Sequence, residues 1–221
     1  MALIYCTIMH WFRKASTDFA MSEHKCTVPF IFLLVILSSG CAATDYYHIP
    51  AQDAKGAYNA VIEIPAGTSK KLEYDPIEKE FQIDRINGED RTIDFLPYPA
   101  NYGFIPSTLS QSEYGGDGDA LDVLVISEAE PTGTIMSVLP VCVLKLIDDG
   151  ELDYKILAVP AEKSKRIIRA TTYAEFKSNY NELLEIVALW FLSYNPEDSS
   201  SIQGWGNESE AIEEISRSLK K

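Results

Sequence analysis

Between residues 57 and 160 the apolar positions fall in short stretches that are rich in Val, Ile and Tyr and separated by Gly, Pro and Asp. Stretches of this length and composition predict β-strands. The predicted strands are 57–64, 71–74, 81–86, 123–126, 134–147 and 153–159. Several short strands with turns between them favour a closed or partly closed β-barrel.

The C-terminal third of the chain changes to helical periodicity. Thr172 and Glu175 form a capping-box pair, which predicts the start of a helix. Apolar side chains then follow at helical spacing, at Phe176, Tyr180, Leu183, Leu184, Val187 and Phe191. Asn207 with Glu210 predicts a second helix, whose apolar face is Ala211, Ile212, Ile215 and Leu219. These faces indicate core contacts, so the predicted fold is a small barrel with peripheral α-helices.

The chain begins with a segment that is typical of an export signal. Residues 28–37 form an apolar run, Lys25 precedes it, and Ser38-Ser39-Gly40-Cys41 follows it. The run is shorter than the about 20 residues that span a bilayer. A basic residue, a short apolar run and small residues in this order are the layout of a signal peptide.

The end of this segment resembles a bacterial lipoprotein cleavage site, although Ser38 stands where that pattern usually has an aliphatic residue. It predicts lipid attachment at Cys41 and a location at the cell envelope or in the periplasm; a simple hydrophobic leader is the alternative. Without processing, we expect a cytoplasmic protein. Met21 opens a more ordinary signal peptide than Met1 does. We divide the chain into a leader (1–40), a polar linker (41–56) and one domain (57–221).

Composition narrows the chemistry of that domain. The formal net charge is −14, and such a surface repels nucleic acid and anionic lipid. The histidines all precede residue 57, and Cys142 is the one cysteine after Cys41. A Cys/His zinc cluster, a disulfide framework and a Ser-His or Cys-His nucleophile are therefore excluded from the domain. Its chemistry must use carboxylates, Lys, Arg and Tyr.

One acidic, glycine-rich stretch stands out. Asp117, Asp119 and Asp122 lie within six residues, just before the predicted strand 123–126. Two such charges 4 Å apart repel by about 4 kcal/mol at an effective dielectric near 20. A solvated surface turn is one interpretation. A site for hard cations such as Mg²⁺, which prefers oxygen ligands, is the other. An EF-hand is excluded, because Leu121 and Asp122 replace the oxygen ligand and the Gly of that loop.

Other polar residues lie where strands and loops could converge. Glu63 ends the first predicted strand, and Lys71 and Glu73 share one face of the next. Residues 97–104 form a Pro-held loop with two tyrosines, 148–151 form an acidic turn, and Asp153 and Lys155 share a later strand face. Taken singly, each could be an ordinary surface or core residue.

Taken together, these segments resemble the soluble (family I) inorganic pyrophosphatases. The matching motifs are Gly-Asp-Gly-Asp-Ala-Leu-Asp at 116–122, Pro-Ala-Asn-Tyr-Gly-Phe-Ile-Pro at 99–106, Glu-Ile-Pro at 63–65 with Lys-x-Glu at 71–73, and Asp-x-Lys at 153–155. The resemblance runs from about residue 57 to about residue 217. It implies a five-stranded, OB-like barrel and the hydrolysis of diphosphate with three to four Mg²⁺ ions.

The resemblance also implies roles for individual residues. Asp117, Asp122, Asp148 and Asp153 would bind Mg²⁺, and Asp119 would be the general base. Glu63 and Glu73 would hold the waters around the metal ions. Phosphate oxygens would be contacted by Lys71, Tyr102, Lys155 and Tyr194, with Tyr98 in support and with Arg85 or Arg91 as a further cation.

Three positions depart from the family pattern. Ala120 replaces the usual Pro, Asn195 replaces the Lys that usually follows the late Tyr, and an apparent insertion separates the phosphate-binding Arg from Tyr98. Arg85 fits the local motif and Arg91 fits the spacing, so both stay candidates. Two alternatives to an enzyme remain: a domain that binds diphosphate or a divalent cation without turnover, and a surface β-domain that binds Ca²⁺. Because bacterial relatives are commonly hexamers, we also expect a homo-oligomer.

Overall fold

The computed structural model describes residues 44–110, 115–116 and 118–220. The leader, Cys41 and Asp117 therefore lie outside the described residues. The strands are β1 Tyr58–Ile64, β2 Leu72–Asp75, β3 Glu80–Ile83, β4 Arg85–Ile86, β5 Glu89–Asp90, β6 Asn101–Phe104, β7 Asp122–Val125, β8 Ile135–Asp148, β9 Glu151–Leu152, β10 Lys155–Pro160 and β11 Ser201–Gly206. The helices are α1 Tyr173–Asn179, α2 Asn181–Ser193 and α3 Glu208–Ser218.

Five of these strands close into a ring. β1 pairs with β6, β6 with β7, β7 with β10, β10 with β8, and β8 again with β1. The β7–β10 pair is parallel and the other pairs of the ring are antiparallel. The long strand β8 also pairs with β9 and β11. The five-stranded barrel predicted from the sequence is thereby confirmed.

The two faces of the ring strands bury different sets of side chains. In β7, Val123 and Val125 belong to a core cluster that includes Ile215 of α3. Leu124, between them, belongs to a second cluster that includes Phe191 of α2. Side chains of a strand alternate between its faces, so the apolar run at residues 123–126 contributes to core clusters on both faces of the sheet.

Strand β6 is where the structure differs most from the strand prediction. Residues 97–104 were expected to form a loop, yet Asn101–Phe104 is a ring strand between β1 and β7. A Cβ atom at Gly103 would lie 1.8 Å from the carbonyl oxygen of Val61. Glycine is therefore required for the close pairing with β1. The predicted strand 81–86 is interrupted at Asp84, and β11 was not predicted.

The predicted helix starts are confirmed, but one helix is interrupted. The backbone N–H of Glu175 donates to Thr172 Oγ1 at 3.2 Å, and Asn207 caps α3 in the same manner. α1 ends before Tyr180, which has φ −144° and is not helical, and α2 begins after it. On the predicted face of the last helix, Ile212 and Leu219 are exposed, because α3 ends at Ser218 and turns Ile212 outward.

The residues before β1, expected as a linker, pack against the fold from residue 44 onward. Tyr46–His48 form a turn of 3₁₀-helix, and Gln52 makes a bridge to Tyr58. We call residues 44–49 the N-terminal arm. The rings of Tyr46 and Tyr47 pack against Tyr74, Phe81 and Phe104. Aromatic burial explains why this segment, which appears polar in sequence, is ordered on the barrel. None of the helices within the described ranges has the length and apolar character needed to cross a bilayer.

Candidate active site

A polar cavity of about 990 Å³ opens at one end of the barrel. Every site residue proposed from the sequence that the structure describes lines this cavity. These residues are Glu63, Lys71, Glu73, Arg85, Arg91, Tyr98, Tyr102, Asp119, Asp122, Asp148, Asp153, Lys155 and Tyr194. The remaining residue, Asp117, is outside the described residues. Side chains spread over more than 130 positions of the sequence thus share one cavity.

Glu63 enters the cavity because β1 is irregular at that point. The register of β1 against β6 shifts between Ile62 and Ile64, and such a bulge re-aims the side chain that it carries. The backbone N–H of Tyr74 donates to Glu63 Oε1 at 2.7 Å. Burial, with the charges of Asp122 and Glu73, raises the pKa of the Glu63 carboxyl to about 8. Glu63 therefore links the barrel to β2 at the base of the cavity.

Lys155 joins two of the aspartates. Its ammonium donates hydrogen bonds to Asp122 Oδ2 and to Asp153 Oδ1. The hydroxyl of Tyr102 donates to the same Asp122 oxygen at 2.6 Å. Burial opposes the charge of Lys155, but the charges of Asp122 and Asp153 raise its pKa above the ordinary value. Two carboxylates therefore converge on a place where a positive charge is stabilised.

The other aspartates approach the same cavity from turns. Asp148 ends β8 and accepts a hydrogen bond of 2.5 Å from the hydroxyl of Ser200. Asp119 is exposed to solvent at the lining of the cavity, yet partial desolvation, followed by the charges of Asp122 and Glu73, raises the pKa of its carboxyl. In the part of the chain that the structure describes, no three His, Cys, Asp or Glu side chains gather closely enough to form a metal cluster. Two of the aspartates, Asp122 and Asp153, instead hold the ammonium of Lys155 between them.

A second group of charges in the cavity gathers around Asp84. Lys71 Nζ is 2.7 Å from Glu73 Oε1 and 3.7 Å from Asp84 Oδ2. Arg91 Nη1 is 3.1 Å from the same Asp84 oxygen. Burial opposes the ionised form of Asp84, but the hydrogen bond from Arg91 and the charge of Lys71 hold its pKa below the ordinary value. Asp84 thus holds a lysine and an arginine side by side in the lining of the same cavity.

The two candidate arginines differ in position. The side chain of Arg91 is 22% exposed, and its charge interacts with Tyr98 and Tyr194 within the cavity. The side chain of Arg85 is 67% exposed and pairs with Asp90, 3.3 Å away, in the β4–β5 hairpin. Arg85 therefore lies at the rim, whereas Arg91 lies in the wall.

Aromatic rings form the remaining wall. Tyr194 follows the last turn of α2 and stacks on Trp190, with ring centroids 4.6 Å apart and planes 3° apart. Trp190 also contacts Tyr98 at 4.7 Å. The indole N–H of Trp190 donates to the carbonyl of Leu96 at 2.9 Å. This stack fixes the end of α2 against the loop that precedes β6.

Of the cavity residues that were not predicted from the sequence, Asp84, Trp190 and Tyr47 make the contacts that matter most for the site. Asp84 carries no motif, and its pairing with Lys71 and Arg91 arises only when the β4–β5 hairpin folds back. Trp190 was obscured by the helical apolar pattern around it. Tyr47 lies in the segment that was expected to be a linker. The break in the apolar run at Asp84 was the one usable signal, because a charge inside a strand pattern marks a special position.

The arrangement suits a polyanionic substrate that arrives with cations. Carboxylate oxygens are hard donors of the kind that Mg²⁺ prefers. Lys71, Arg91 and Lys155 supply donors for phosphate oxygens in the same cavity. The carboxylates outnumber these cations, so an anion alone would be repelled, whereas an anion with divalent cations would be neutralised.

Comparison with known proteins places the chain in a family. The sequence model described as inorganic pyrophosphatase matches residues 60–221. The inorganic pyrophosphatase of Synechocystis sp. is 36% identical over 165 residues, covering 73% of this chain and 89% of the relative. That of Neisseria meningitidis serogroup A is 32% identical over 167 residues, covering 75% of this chain and 89% of the relative.

Solved structures agree. The inorganic pyrophosphatase of Thermus thermophilus superposes with a TM-score of 0.68 at 28% identity, covering 80% of this chain and 97% of that one. The pyrophosphatase of Coxiella burnetii gives a TM-score of 0.66 at 31% identity, covering 77% of this chain and 98% of that one. With its five-stranded ring and its cavity of carboxylates, lysines and tyrosines, the chain belongs to the family I inorganic pyrophosphatases.

Proposed function

We propose that the residues of the cavity hydrolyse inorganic diphosphate to two phosphates by attack of an activated water, with separate groups for metal binding, proton transfer and phosphate binding. The activity is that of the family to which the chain belongs. One observation carries the assignment of residues: the thirteen described candidates line a single cavity, with Lys155 held between Asp122 and Asp153.

Family I pyrophosphatases are generally Mg²⁺-dependent, and the donor set here fits that ion. Asp122, Asp148 and Asp153, together with Asp117, would hold it, with Glu63 and Glu73 orienting its waters; we propose three to four ions. Bound Mg²⁺ neutralises phosphate charge and lowers the pKa of a coordinated water. The convergence of Asp122 and Asp153 on an ammonium supports this fit, because it shows that the pair stabilises a cation.

We assign the general base to Asp119. Its raised pKa makes the carboxylate a better proton acceptor than an aspartate of ordinary pKa, and a base with a pKa closer to neutrality is the more effective catalyst. Its place in the loop before β7 puts it in the same cavity as Asp122 and Lys71, whose charges both act on it. Asp119 would take the proton of the attacking water.

The cationic and phenolic side chains of the cavity would bind the phosphates. Lys71 and Lys155 act as point charges, and Arg91 offers a planar fork of donors. We choose Arg91 over Arg85 as the phosphate ligand, because Arg91 lies in the wall and Arg85 at the rim. The hydroxyls of Tyr102 and Tyr194 would bind phosphate oxygens, with Tyr98 packed behind them.

The test is phosphate release from diphosphate by the full chain, with and without Mg²⁺. We expect Asp119→Asn to lower kcat by about 100-fold or more, the usual contribution of a positioned base. Asp94→Asn is the matched control, because Asp94 is exposed and lies outside the cavity. Release without Mg²⁺, or an Asp119→Asn variant as active as the control, would overturn the assignment. Diphosphate binding without release would favour the alternative of a binding domain.

We also propose that the protein is exported and attached to a membrane through Cys41. The order of Lys25, the apolar run 28–37 and the small residues before Cys41 supports this proposal. Several acyl chains are needed for stable anchoring. Labelling of the intact chain with a palmitate analogue should depend on Cys41, and equal labelling of wild type and Cys41→Ala would contradict it.

Self-association is the last part of the proposal. Ile186, Leu189 and Leu192 are exposed at helical spacing on α2, and Phe95 and Leu96 are exposed on the loop that α2 contacts. Adjoining exposed apolar side chains are typical of interaction surfaces. We expect light scattering to give a homo-oligomer, a hexamer as in bacterial relatives, and Leu189→Glu to dissociate it. A monomeric wild type would contradict this part alone.

A further inference from the structure

The β2–β3 hairpin carries part of the site but, among the described residues, shares no strand ladder with the barrel. Glu73 lies in β2, and Lys71 is the residue directly before that strand. Within the described ranges, β2 and β3 pair with each other as a two-stranded sheet and with no strand of the seven-stranded sheet. The position of Glu73 relative to Asp119 is therefore set by side chains and not by a continuous ladder.

The N-terminal arm holds this hairpin. The backbone N–H of Tyr46 donates to the hydroxyl of Tyr74 at 3.3 Å, and that hydroxyl donates to the carbonyl of Thr44 at 3.0 Å. The ring of Tyr46 contacts Phe81 of β3 at 5.0 Å. Asp45 Oδ2 is 3.1 Å from Lys79 Nζ at the hairpin turn. The arm thus contacts both strands of the hairpin and the turn between them.

The same arm is fixed to the barrel on its other side. The backbone N–H of Ser107 donates to the carbonyl of Tyr47 at 3.0 Å, and the hydroxyl of Ser107 donates to the carbonyl of Ile49 at 2.8 Å. Ser107 follows β6, whose last residue, Phe104, contacts the ring of Tyr47 at 4.8 Å. The arm therefore joins two parts of the site that the sheet leaves separate.

Tyr47 is the residue of the arm that reaches the cavity. Its ring also contacts Tyr74 at 5.3 Å, and the ammonium of Lys220 lies 4.9 Å from its centroid. It lines the cavity beside Glu63, Asp119 and Ala120. Burial, followed by the charges of Glu63 and Asp119, raises the pKa of its phenol far above the ordinary range. The neutral ring of Tyr47 therefore packs between the β2–β3 hairpin and the loop that carries Asp119, the proposed base.

We propose that the N-terminal arm is a positioning element of the active site and that Tyr47 is its positioning residue, setting the distance between Glu73 of the hairpin and Asp119 of the barrel. The arm precedes residue 60, where the match to the family sequence model begins. This inference rests on the proposed function. Misplacement of reacting groups by about 1 Å can cost about 100-fold in rate. Removal of the Tyr47 ring should therefore lower kcat.

The experiment compares Tyr47→Leu and Tyr47→Phe with wild type, using the full chain. Tyr47→Leu keeps an apolar side chain but removes the ring that meets Phe104 and Tyr74. We expect it to lower kcat by at least about 10-fold but by less than the about 100-fold that a displacement of about 1 Å can cost. The Mg²⁺ concentration that gives half of the maximal rate should rise. Tyr47→Phe keeps the ring and should retain kcat and the Mg²⁺ response within about two-fold, because the ring acts by packing.

Tyr58→Leu is the matched control, since Tyr58 is a half-buried tyrosine that packs on the barrel away from the cavity. Both variants should lose similar thermal stability, but only Tyr47→Leu should lose turnover per folded molecule. Equal kcat values and Mg²⁺ responses for Tyr47→Leu and Tyr58→Leu would overturn the inference. A wild-type protein without Mg²⁺-dependent phosphate release would overturn the proposed function instead, so the two failures are distinct.

Discussion

Tyr102 donates a hydrogen bond of 2.6 Å to the carboxylate of Asp122, and the two residues lie on neighbouring ring strands, β6 and β7. The bond sets the orientation of a carboxylate that also accepts from Lys155. Strand pairing thus fixes the backbone of both residues, and the phenol then fixes the rotamer of the aspartate. Side-chain order in the cavity depends directly on barrel register.

Tyr102→Phe should remove that orientation while keeping the packing of the ring. We expect kcat for diphosphate hydrolysis to fall by about 10-fold, the effect of about 1.4 kcal/mol at the transition state, because a hydrogen bond to a charged group contributes about 1.5–3 kcal/mol. Steady-state phosphate release measures this. Tyr180→Phe is the control, since the hydroxyl of Tyr180 is outside the cavity and makes only a long 3.5 Å contact with Arg169. Equal kcat values for the two variants would contradict the orienting role.

Lys155→Met should destabilise the metal-free protein strongly, because it leaves Asp122 and Asp153 without their cation. Removal of one partner from a buried ion pair costs about 3–5 kcal/mol. Thermal unfolding in a chelator should show a large decrease in Tm. Mg²⁺ should then raise the Tm of the variant more than that of wild type, since a ligand of the native state stabilises it.

The control for that experiment is Lys145→Met. Lys145 pairs with Glu210 on the surface, 31% exposed, and exposed ion pairs contribute little. Its Tm and its response to Mg²⁺ should stay close to those of wild type. A Lys155→Met variant that behaves like Lys145→Met would show that the two aspartates do not share the cation.

Arg91→Ala should raise the KM for diphosphate more than Arg85→Ala does. Arg91 is in the cavity wall and is held by Asp84, whereas Arg85 is at the rim and paired with Asp90. Loss of a desolvated, charged donor to phosphate costs more than loss of an exposed one. Initial rates over a range of Mg²⁺-diphosphate concentrations provide the comparison, and a larger KM for Arg85→Ala would reverse the assignment of the two arginines.

The stability of the metal-free protein should fall as pH rises from about 5 to about 8. The pKa of Glu63 is about 8 in the fold because of burial and the charges of Asp122 and Glu73. The native state therefore binds a proton that the unfolded state has lost, and stability decreases by as much as about 1.4 kcal/mol per pH unit. Denaturant unfolding in a chelator at several pH values measures this slope.

Glu63→Gln should make the decrease of stability with rising pH shallower without removing it. The pKa of Asp119 is also raised, so this carboxyl contributes in the same direction. The glutamine side chain can still accept from the N–H of Tyr74, so the variant should fold. A slope identical to that of wild type would mean that Glu63 does not retain its proton in the native state.

Much of the barrel follows from local sequence. Ring strands such as β7 and β10 are short apolar runs bounded by turn residues, and their length and their β-branched composition predict them. β6 was missed because its segment is rich in Pro and Gly, and only the close approach of Gly103 to Val61 explains why the chain pairs there. The helix break at Tyr180 was missed because the apolar period continues through it.

The site was accessible from sequence where motifs carry it and hidden where only folding creates it. The aspartates near residue 120 and Lys155 stand in short motifs with recognisable spacing. Asp84 gains its partners from hairpin geometry, and Tyr47 reaches the cavity from a segment without any pattern of core residues. Contacts between distant segments leave no trace in periodicity, so these two residues could not be predicted.

Ser107 has a left-handed backbone, with φ at 57°, and it bonds to both ends of the described chain. Its N–H and hydroxyl bind the N-terminal arm, and its carbonyl accepts from the N–H of Lys220 at 2.9 Å. Local opening of the turn at Ser107 would release the N-terminal arm and Lys220, near the C-terminus, at the same moment. The amide protons of Ser107 and Lys220 should consequently exchange with solvent as one cooperative unit, with equal opening free energies, although more than a hundred residues separate them.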